Sequence, residues 1–512
     1  MAFFRKFYDI ILPFATVFFA GFVAMAIELC LAKMLAPYFG TSMVTWSVLI
    51  AIVLAFFALG YYLGGIVADM GAPHKHLYTI LLATATLVFV IPVVSVQVLE
   101  FFSQISLDYG FSLYLITLGM AIAILSVPII LLAMIPPIVV RMVQTGSLSQ
   151  LGANVGKVYA VSTLGSITGV LFPTLVLMPT IGVRKSFVLL SLFIFMCAVL
   201  GLERKRFALL ILLPVFGFFV IPPHLKILPY QVYSAESMYN FIYVVDDGRR
   251  ISLLFDEGLY FQSSQYKGRI ISGSAHNAFN LMPLLVSGRD ALLMGLGGGT
   301  VVKQYRAYFN MNVDVVEIDG KVLDVARQYF DLPEKGVNVH IMDARRYLLG
   351  AKKRYDVIGM DVFISEQVQE HLTTTEFFEL LKKRLKPDGV LGINVVTVSA
   401  ESSLMRHLYA SLKEHFNYVR VFRSGPYNFF VLATDGSNVD ELKRRVDGLS
   451  DSMLKASLQA TLSRPVKVNR ATQPAYDDVL YNFDYEQIQI RWNMLRASET
   501  CMLYTQSSQP TP

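Results

Sequence analysis

Charge and cysteine are scarce in this chain. Of its 512 residues only 16% are Asp, Glu, Lys or Arg, while 54% are hydrophobic and the mean hydropathy is +0.51. Soluble globular proteins run near a quarter charged, so one ordinary soluble enzyme is excluded, and so is a disordered chain. The three cysteines, Cys30, Cys197 and Cys501, lie far apart. They offer no metal or redox spacing and no disulfide framework, which suits a cytoplasmic or membrane setting. The scarcity of charge is also uneven. Residues 1–206 carry 11 Lys and Arg against 6 Asp and Glu, and the other 306 residues carry 33 against 32. The formal net charge of +6 is therefore loop charge around a membrane region, and no nucleic-acid partner is expected.

What the first part has instead is long apolar runs. A spanning helix needs about 20 apolar residues. Candidates fall at 11–35, 44–67, 78–99, 112–140, 158–180, 185–202 and 207–222. The first is too long for a signal peptide and has no small-residue cleavage site, so no processing is expected. Pro128, Pro136 and Pro137 predict a kink in the fourth. The seventh is short and interrupted by Pro214, Pro222 and Pro223. Arg5, Lys6, Lys75, Arg141, Lys157 and Arg204 to Arg206 fall on one side, with Lys33, Arg184 and Lys185 on the other. The positive-inside rule then places the N-terminus in the cytoplasm. A second part that also faces the cytoplasm requires six spans, with the seventh segment not crossing. The alternative is seven spans with the N-terminus outside, against the charge bias.

Glu28 sits inside the first span, where an ionisable residue is costly. Lys33 is about 140° round the helix from it, so the two are not partners. Glu28 binds an amine, pairs with another helix, or is simply hydrogen-bonded between packed helices.

From about residue 224 the pattern changes. Residues 239–264 alternate, with turn signals at Asp246-Asp247-Gly248 and Asp256-Glu257-Gly258, which predicts antiparallel hairpins. Strand and helix signals then alternate, with strands at 291–294, 313–318, 337–342, 355–360 and 390–396. Thr373-Thr374-Thr375-Glu376 has the spacing of a capping box, and Lys386-Pro387-Asp388-Gly389 ends the helix that it starts. Such alternation implies a parallel sheet with helices on both faces and a ligand beyond the carboxyl ends of the strands.

Successive strand ends carry chemistry. Gly295-Leu296-Gly297-Gly298-Gly299 follows the first strand. Glycines there let the backbone approach a ligand, although a tight turn without one has the same signature. Glu317 ends the second strand about 20 residues on, where an acid can accept from ribose hydroxyls. Asp343 ends the third strand, placed to accept from an adenine amino group, and Asp361 ends the fourth, left over to face a reacting group.

These residues resemble a family. Glu317-Ile318-Asp319, Asp343-Ala344-Arg345 and Lys386-Pro387-Asp388-Gly389-Val390-Leu391 are similar to the spermidine synthases, the polyamine aminopropyltransferases. Glu236-Ser237, Phe255-Asp256-Glu257-Gly258 and Gln262-Ser263-Ser264 resemble that family's small N-terminal β domain, and His276 resembles the His of its Tyr-His pair. The likeness covers roughly 230–435. Glu28-Leu29, Leu35 to Ser42, Trp46, Leu59 to Gly65, Asp361-Val362-Phe363, His371-Leu372-Thr373 and Glu376-Phe377 resemble the bacterial type in which such a domain is fused to transporter-like helices.

The resemblance implies transfer of aminopropyl from decarboxylated S-adenosylmethionine to an amine, releasing methylthioadenosine and needing no metal. By position, Gln262, Gly295, Gly297, Gly299, Glu317, Asp343 and Ala344 would hold the donor. Asp361 would orient or deprotonate the attacking amine, and His276 and Glu28 are weaker candidates for the acceptor. Three departures stand out. Gly298 replaces the family's loop acid, Ile364 its second fourth-strand acid, and Ala275 the Tyr before its His. Fewer acids weaken the hold on a polycation. Losing the loop acid also removes repulsion against a donor that keeps its carboxylate, so ordinary S-adenosylmethionine enters as an alternative. Glu366 or Glu370 could stand in from the loop, or be solvated there.

The expected architecture has four parts. They are a multi-pass helical membrane domain over 1–223, a small β-hairpin domain over 224–285, a Rossmann-like α/β domain of the S-adenosylmethionine-dependent transferase type over 286–440, and a C-terminal helical extension and tail over 441–512. The leading expectation is an aminopropyltransferase in the cell inner membrane with its catalytic domain facing the cytoplasm. Its partners would be an amine or polyamine, lipid-linked or free, and membrane lipids, with a homodimer left open. The alternatives are methyl or aminocarboxypropyl transfer to a lipid or small amine, and a transporter or sensor whose nucleoside-binding domain does no chemistry. Gly425-Pro426-Tyr427-Asn428 and Ala475-Tyr476-Asp477-Asp478 could border the cleft, although turn and tail are the simpler readings.

Overall fold

The computed structural model describes residues 7–39, 43–109, 113–144, 150–202, 209–222, 228–256, 261–272, 275–362, 370–397, 399–436 and 440–469. Of the sequence expectations, those on Arg5, Lys6, Arg204 to Arg206, Glu257-Gly258, Phe363, Ile364, Glu366, 475–478 and Cys501 lie outside the described residues. The chain divides into two compact units, Met1–Ile227 with Glu236–Met238, and the remainder.

The first unit is helical: α1 (Leu12–Phe39), α2 (Met43–Asp69), α3 (Pro73–Tyr109), α4 (Leu113–Ala133), α5 (Ile135–Val143), α6 (Leu151–Phe172), α7 (Val183–Gly201) and α8 (Leu212–Val220). Six stretches among the described residues are long and apolar enough to cross a membrane: Leu12–Ala36, Trp46–Asp69, Pro73–Val98, Leu118–Val143, Leu151–Ile181 and Val183–Gly201. The kink expected from the prolines is real. The α4 helix stops at Ala133, and α5 restarts after Met134 with Pro136 and Pro137 in its first turn. The α1 and α6 helices approach to backbone contact. A Cβ on Gly165 or Gly169 would lie 2.1 Å from the Phe18 or Phe22 carbonyl oxygen, the use of small residues expected where helices cannot gain from hydrophobic burial. Glu28 is buried in α1, with 4% of its surface exposed.

The seventh segment is a short apolar helix outside the six long stretches. Gly201, at the end of α7, abuts Tyr78 near the start of α3, whereas Gly217 abuts Phe89, three turns further along α3. The Lys185 ammonium, at the start of α7, lies 5.2 Å from the Phe218 ring. The short helix therefore packs beside α3 and α7.

In the second unit, β1 (Gln231–Glu236), β2 (Phe241–Asp246), β3 (Arg250–Phe255) and β4 (Phe261–Tyr266) form a four-stranded sheet in sequential order. The hairpins expected over 239–264 are present, and β1 is an added strand. There follow β5 (Asp290–Met294), α9 (Thr300–Phe309), β6 (Asn312–Glu317), α10 (Gly320–Tyr329), β7 (Val337–Ile341), α11 (Ala344–Gly350), β8 (Tyr355–Met360), α12 (Thr375–Arg384), β9 (Leu385–Val396), α13 (Ser403–His415), β10 (Tyr418–Arg423), β11 (Asn428–Thr434), α14 (Leu442–Asp447), α15 (Ser452–Leu462) and β12 (Pro465–Val466). The second sheet has the order β12-β10-β11-β9-β8-β5-β6-β7. The five strands from β9 to β7 are parallel, and β11, β10 and β12 extend the sheet antiparallel.

Alternation along each strand divides the core between the two faces. On β5, Ala291 and Leu293 join one apolar cluster while Leu292 and Met294 join the other. The strand order reverses between β5 and β8, so the switch point, where ligands of open α/β sheets sit, lies between their carboxyl ends.

Two local expectations shift. The cap of α12 is Thr374, whose hydroxyl accepts from the Phe377 N–H, so the Thr373–Glu376 pairing does not form the box. Lys386-Pro387-Asp388-Gly389 ends the helix but lies within β9 as a bulge: Tyr355 pairs with Leu385, while Val357 pairs with Val390. Its lysine bridges Asp290 at 2.9 Å and Asp356 at 2.7 Å. Those acids stand at the starts of β5 and β8, so this motif staples the end of the sheet opposite the switch point.

Candidate active site

A cavity of about 240 Å³ lies at the switch point. Its lining includes Gln262, His276, Gly295, Gly297, Glu317, Asp343, Ala344 and Asp361. The residues singled out on the strand ends are thus brought together. Gly299 is not in the lining: it sits one step behind, at φ +70° and capping α9. Glu28 does not line this cavity and belongs to the helical unit.

The glycine turn is needed for backbone proximity. At φ +90°, Gly295 passes so close to β8 that a Cβ would lie 2.1 Å from the Asp361 carbonyl oxygen. Only glycine tolerates both demands. Ser263 on β4 holds the next part of the turn, its hydroxyl accepting from the Gly298 N–H at 2.8 Å.

Glu317 is 9% exposed, and both its oxygens serve the backbone. One accepts from the Leu296 N–H at 2.9 Å and the other from the Asp319 N–H at 3.0 Å. Burial pushes its carboxyl pKa up, and these donors offset only part of that. Asp343 caps α11, accepting from the Arg346 N–H, and its second oxygen lies 2.8 Å from His371 Nε2. Burial alone would raise the Asp343 carboxyl. The Arg346 N–H and His371 outweigh it and hold the group below its ordinary value. Arg345 in turn donates to the His371 carbonyl at 2.9 Å, fixing the turn that carries the imidazole.

Asp361 has partners on both oxygens. His276 Nε2 is 3.0 Å from one, and the Asn394 amide donates to the other at 2.9 Å. Asn394 on β9 is itself held by the Asn428 amide at 3.2 Å. Burial opposes charge on both members of the His276–Asp361 pair. Their mutual attraction prevails, leaving His276 raised and Asp361 lowered.

Asn394 escaped the sequence reading because it lies inside β9, where no motif spacing points to it, whereas Asn428 was noted only within 425–428 as a residue that could border the cleft. Asn240, which lines the cavity and donates to Asp319 at 3.2 Å, escaped because it lies between β1 and β2 of the smaller sheet, outside the strand-end pattern. His371 was visible only within a longer resemblance motif.

Gly298 has no room for the family's acid. A Cβ there would lie 2.8 Å from the Phe330 ring and 3.0 Å from the Ser263 Cβ. Gly298→Asp is expected to lower stability by about 1–3 kcal/mol, the usual range for overpacking, without raising affinity for decarboxylated S-adenosylmethionine. Thermal unfolding and ligand titration would check both; tighter donor binding would refute the packing argument.

Residues 274–434 match the spermine/spermidine synthase domain. A probable polyamine aminopropyl transferase of Bifidobacterium longum is 32% identical over 169 residues, covering 33% of this chain and 38% of that protein. Polyamine aminopropyltransferase 2 of Aquifex aeolicus is 23% identical over 424 residues, covering 77% of this chain and 80% of that protein, an alignment that must run upstream into the apolar helices. A crystal structure of spermidine synthase from Thermotoga maritima aligns at 17% identity with a TM-score of 0.37, covering 51% of this chain and 88% of that one. The chain thus spans well under half of the first of these relatives and most of the second. The likeness to the spermine/spermidine synthase domain is thus carried by residues 274–434.

Proposed function

We propose that the protein is a membrane-integrated aminopropyltransferase that uses decarboxylated S-adenosylmethionine and an amine acceptor. The observation that carries this is the position of Asp361. It stands at the switch point, in one cavity with the glycine turn, Glu317 and Asp343, and paired to His276. Glu317 would accept from the ribose hydroxyls and Asp343 from the adenine amino group. Ala344 and Gln262 would flank the nucleoside, with Gly295, Gly297 and Gly299 shaping the turn beside it. The amine lone pair forms a bond to the aminopropyl carbon as the carbon–sulfur bond breaks. The electron pair of that bond moves to sulfur, leaving neutral methylthioadenosine. The new ammonium gives its proton to the Asp361–His276 pair. Holding the two reactants in line supplies most of the rate, and proton removal adds to it. No step requires a metal.

Purified protein given labelled donor and putrescine, spermidine or a lipid extract is expected to release methylthioadenosine. Release of S-adenosylhomocysteine would favour a second reading, transfer from ordinary S-adenosylmethionine. The crowded, acid-free surroundings of Gly298 support that reading, since nothing there repels a donor carboxylate. Binding without either product would favour the sensor or transporter reading.

The apolar helices support an inner-membrane location. Six crossings by the long apolar stretches return the chain to the face on which it started. The basic bias of Lys75, Arg141 and Lys157 would then put the N-terminus and the catalytic unit on the cytoplasmic side. Gly152 has nothing within 4 Å of a built Cβ. Gly152→Cys, with Cys501→Ser as background, is therefore expected to react with a membrane-impermeant thiol reagent only after lysis. Labelling on intact cells would put the catalytic unit outside.

A further inference from the structure

A second opening is lined by Ala275, Arg423, Ser424, Gly425, Pro426, Asn428 and Arg464. Two links tie it to the reacting centre. Ala275 precedes His276 in the chain. Asn428 bonds Asn394, which bonds Asp361, at 3.2 and 2.9 Å. The turn is rigidly made: the Ser424 and Gly425 N–H groups both donate to the Asn428 carbonyl, at 2.9 and 3.1 Å. The Arg423 guanidinium braces it through the Gly425 and Pro426 carbonyls, at 3.3 and 2.7 Å. The β10 strand sets Arg464 beside Arg423, whose N–H donates to the Arg464 carbonyl at 3.0 Å.

The chemistry of this opening is one-sided. It contains two arginines and no carboxylate, and neither arginine forms an ion pair with an acid among the described residues. The Ser424 hydroxyl is buried without a hydrogen-bond partner among the described residues, although burying such a group unpaired costs free energy. Guanidinium forks and a spare hydroxyl donor suit a carboxylate or phosphate. They repel a polycation.

We propose that this opening holds the anionic end of the acceptor, so that the amine alkylated at Asp361 belongs to a molecule carrying a carboxylate or phosphate. The inference rests on the aminopropyl-transfer reading and narrows its acceptor. A free amino acid and a lipid headgroup offer the same anionic chemistry, and the arms of the test tell them apart.

The test uses full-length protein in detergent and in vesicles, with decarboxylated S-adenosylmethionine. Acceptors are ω-amino acids of three to six carbons, O-phosphoethanolamine, phosphatidylethanolamine vesicles, and putrescine. Methylthioadenosine release reports transfer, and thermal shift of the donor-loaded protein reports acceptor binding. At least one anionic amine is expected to exceed putrescine tenfold or more in kcat/KM, and vesicles against soluble amines identify the source. Arg464→Gln and Ser424→Ala, which leave the Arg423 brace in place, are expected to raise KM for the anionic amine about tenfold or more. They should leave kcat and donor affinity within twofold. Equal or better use of putrescine, with both variants unchanged, overturns the inference and leaves aminopropyl transfer standing. If no acceptor yields methylthioadenosine, the parent reading fails. The thermal shifts then still decide the anion site: no shift with any anionic amine, or shifts unaltered in Arg464→Gln, overturns it.

Discussion

Asp361→Asn is expected to lower kcat by about 10²–10⁴, the range for loss of a positioned proton acceptor, while leaving donor affinity within a few-fold. Asparagine keeps the shape and can still accept from Asn394, but it cannot carry the charge that raises His276. The donor contacts proposed for Glu317 and Asp343 are untouched. Competition binding with a nucleoside product, run beside turnover, separates the two effects. A fully active variant would remove Asp361 from the chemistry.

The same pair sets the pH dependence. Below the raised folded pKa of His276 the imidazole is protonated against Asp361, and the pair has no vacancy for the proton of the acceptor. The rate is therefore expected to rise with pH through a value above the ordinary histidine pKa of about 6.5. In Asp361→Asn the source of that rise is gone, and any residual acid limb moves to lower pH. Stability runs the other way. The His276 contribution is full below its unfolded pKa and is lost as pH climbs through the folded one. The Asp361 contribution, from a lowered pKa, is present above the unfolded carboxylate value and lost only as pH falls through the folded one. Unfolding midpoints followed from neutral to alkaline pH should fall in the wild type by more than in the variant.

The parts of this site legible in sequence share one property: they sit at the ends of parallel strands. There, β-to-α turns repeat at a regular spacing, and glycine or carboxylate must fall at a fixed offset. Glu317, Asp343 and Asp361 were readable for that reason, as were the five parallel strands themselves. Asn394 was not, and Asn428 was noted only as a residue that could border the cleft. They reach Asp361 through cross-strand pairing of β9 with β11, where Asn428 faces Val396, and pairing register over 30 residues leaves no local pattern. Lys386 makes the complementary point. Its motif is as recognisable as any in the chain, yet its ammonium clamps Asp290 and Asp356 at the far end of the sheet. A family motif can thus mark packing as readily as chemistry. In the helical unit, apolar length gave the six long segments.

Glu317→Gln is expected to weaken donor binding at least tenfold while leaving the unfolding midpoint near neutral pH within a few degrees. Both oxygens of the native carboxylate already hold backbone N–H groups, so the ribose hydroxyls would use its remaining lone pairs. Glutamine has one oxygen, and its amide must face either Leu296 N–H or Asp319 N–H donor to donor. The donor pocket then loses an acceptor and gains a repulsion. Stability gains a compensating term. Because burial raises the Glu317 pKa, the folded chain binds this proton more tightly than the unfolded one, so ionised Glu317 is a burden at neutral pH. Its favourable contribution is full below the unfolded glutamate pKa of about 4.3 and disappears as pH rises through the folded value. Glutamine, neutral throughout, removes that dependence. Glu317→Ala differs: it strands two buried N–H groups at about 1–3 kcal/mol each, so both stability and affinity should fall. Donor titration and unfolding of the three proteins between pH 4 and 8 separate a ligand contact from a structural brace. If Glu317→Gln binds the donor as tightly as the wild type, Glu317 only braces the glycine turn, and the ribose must be held elsewhere.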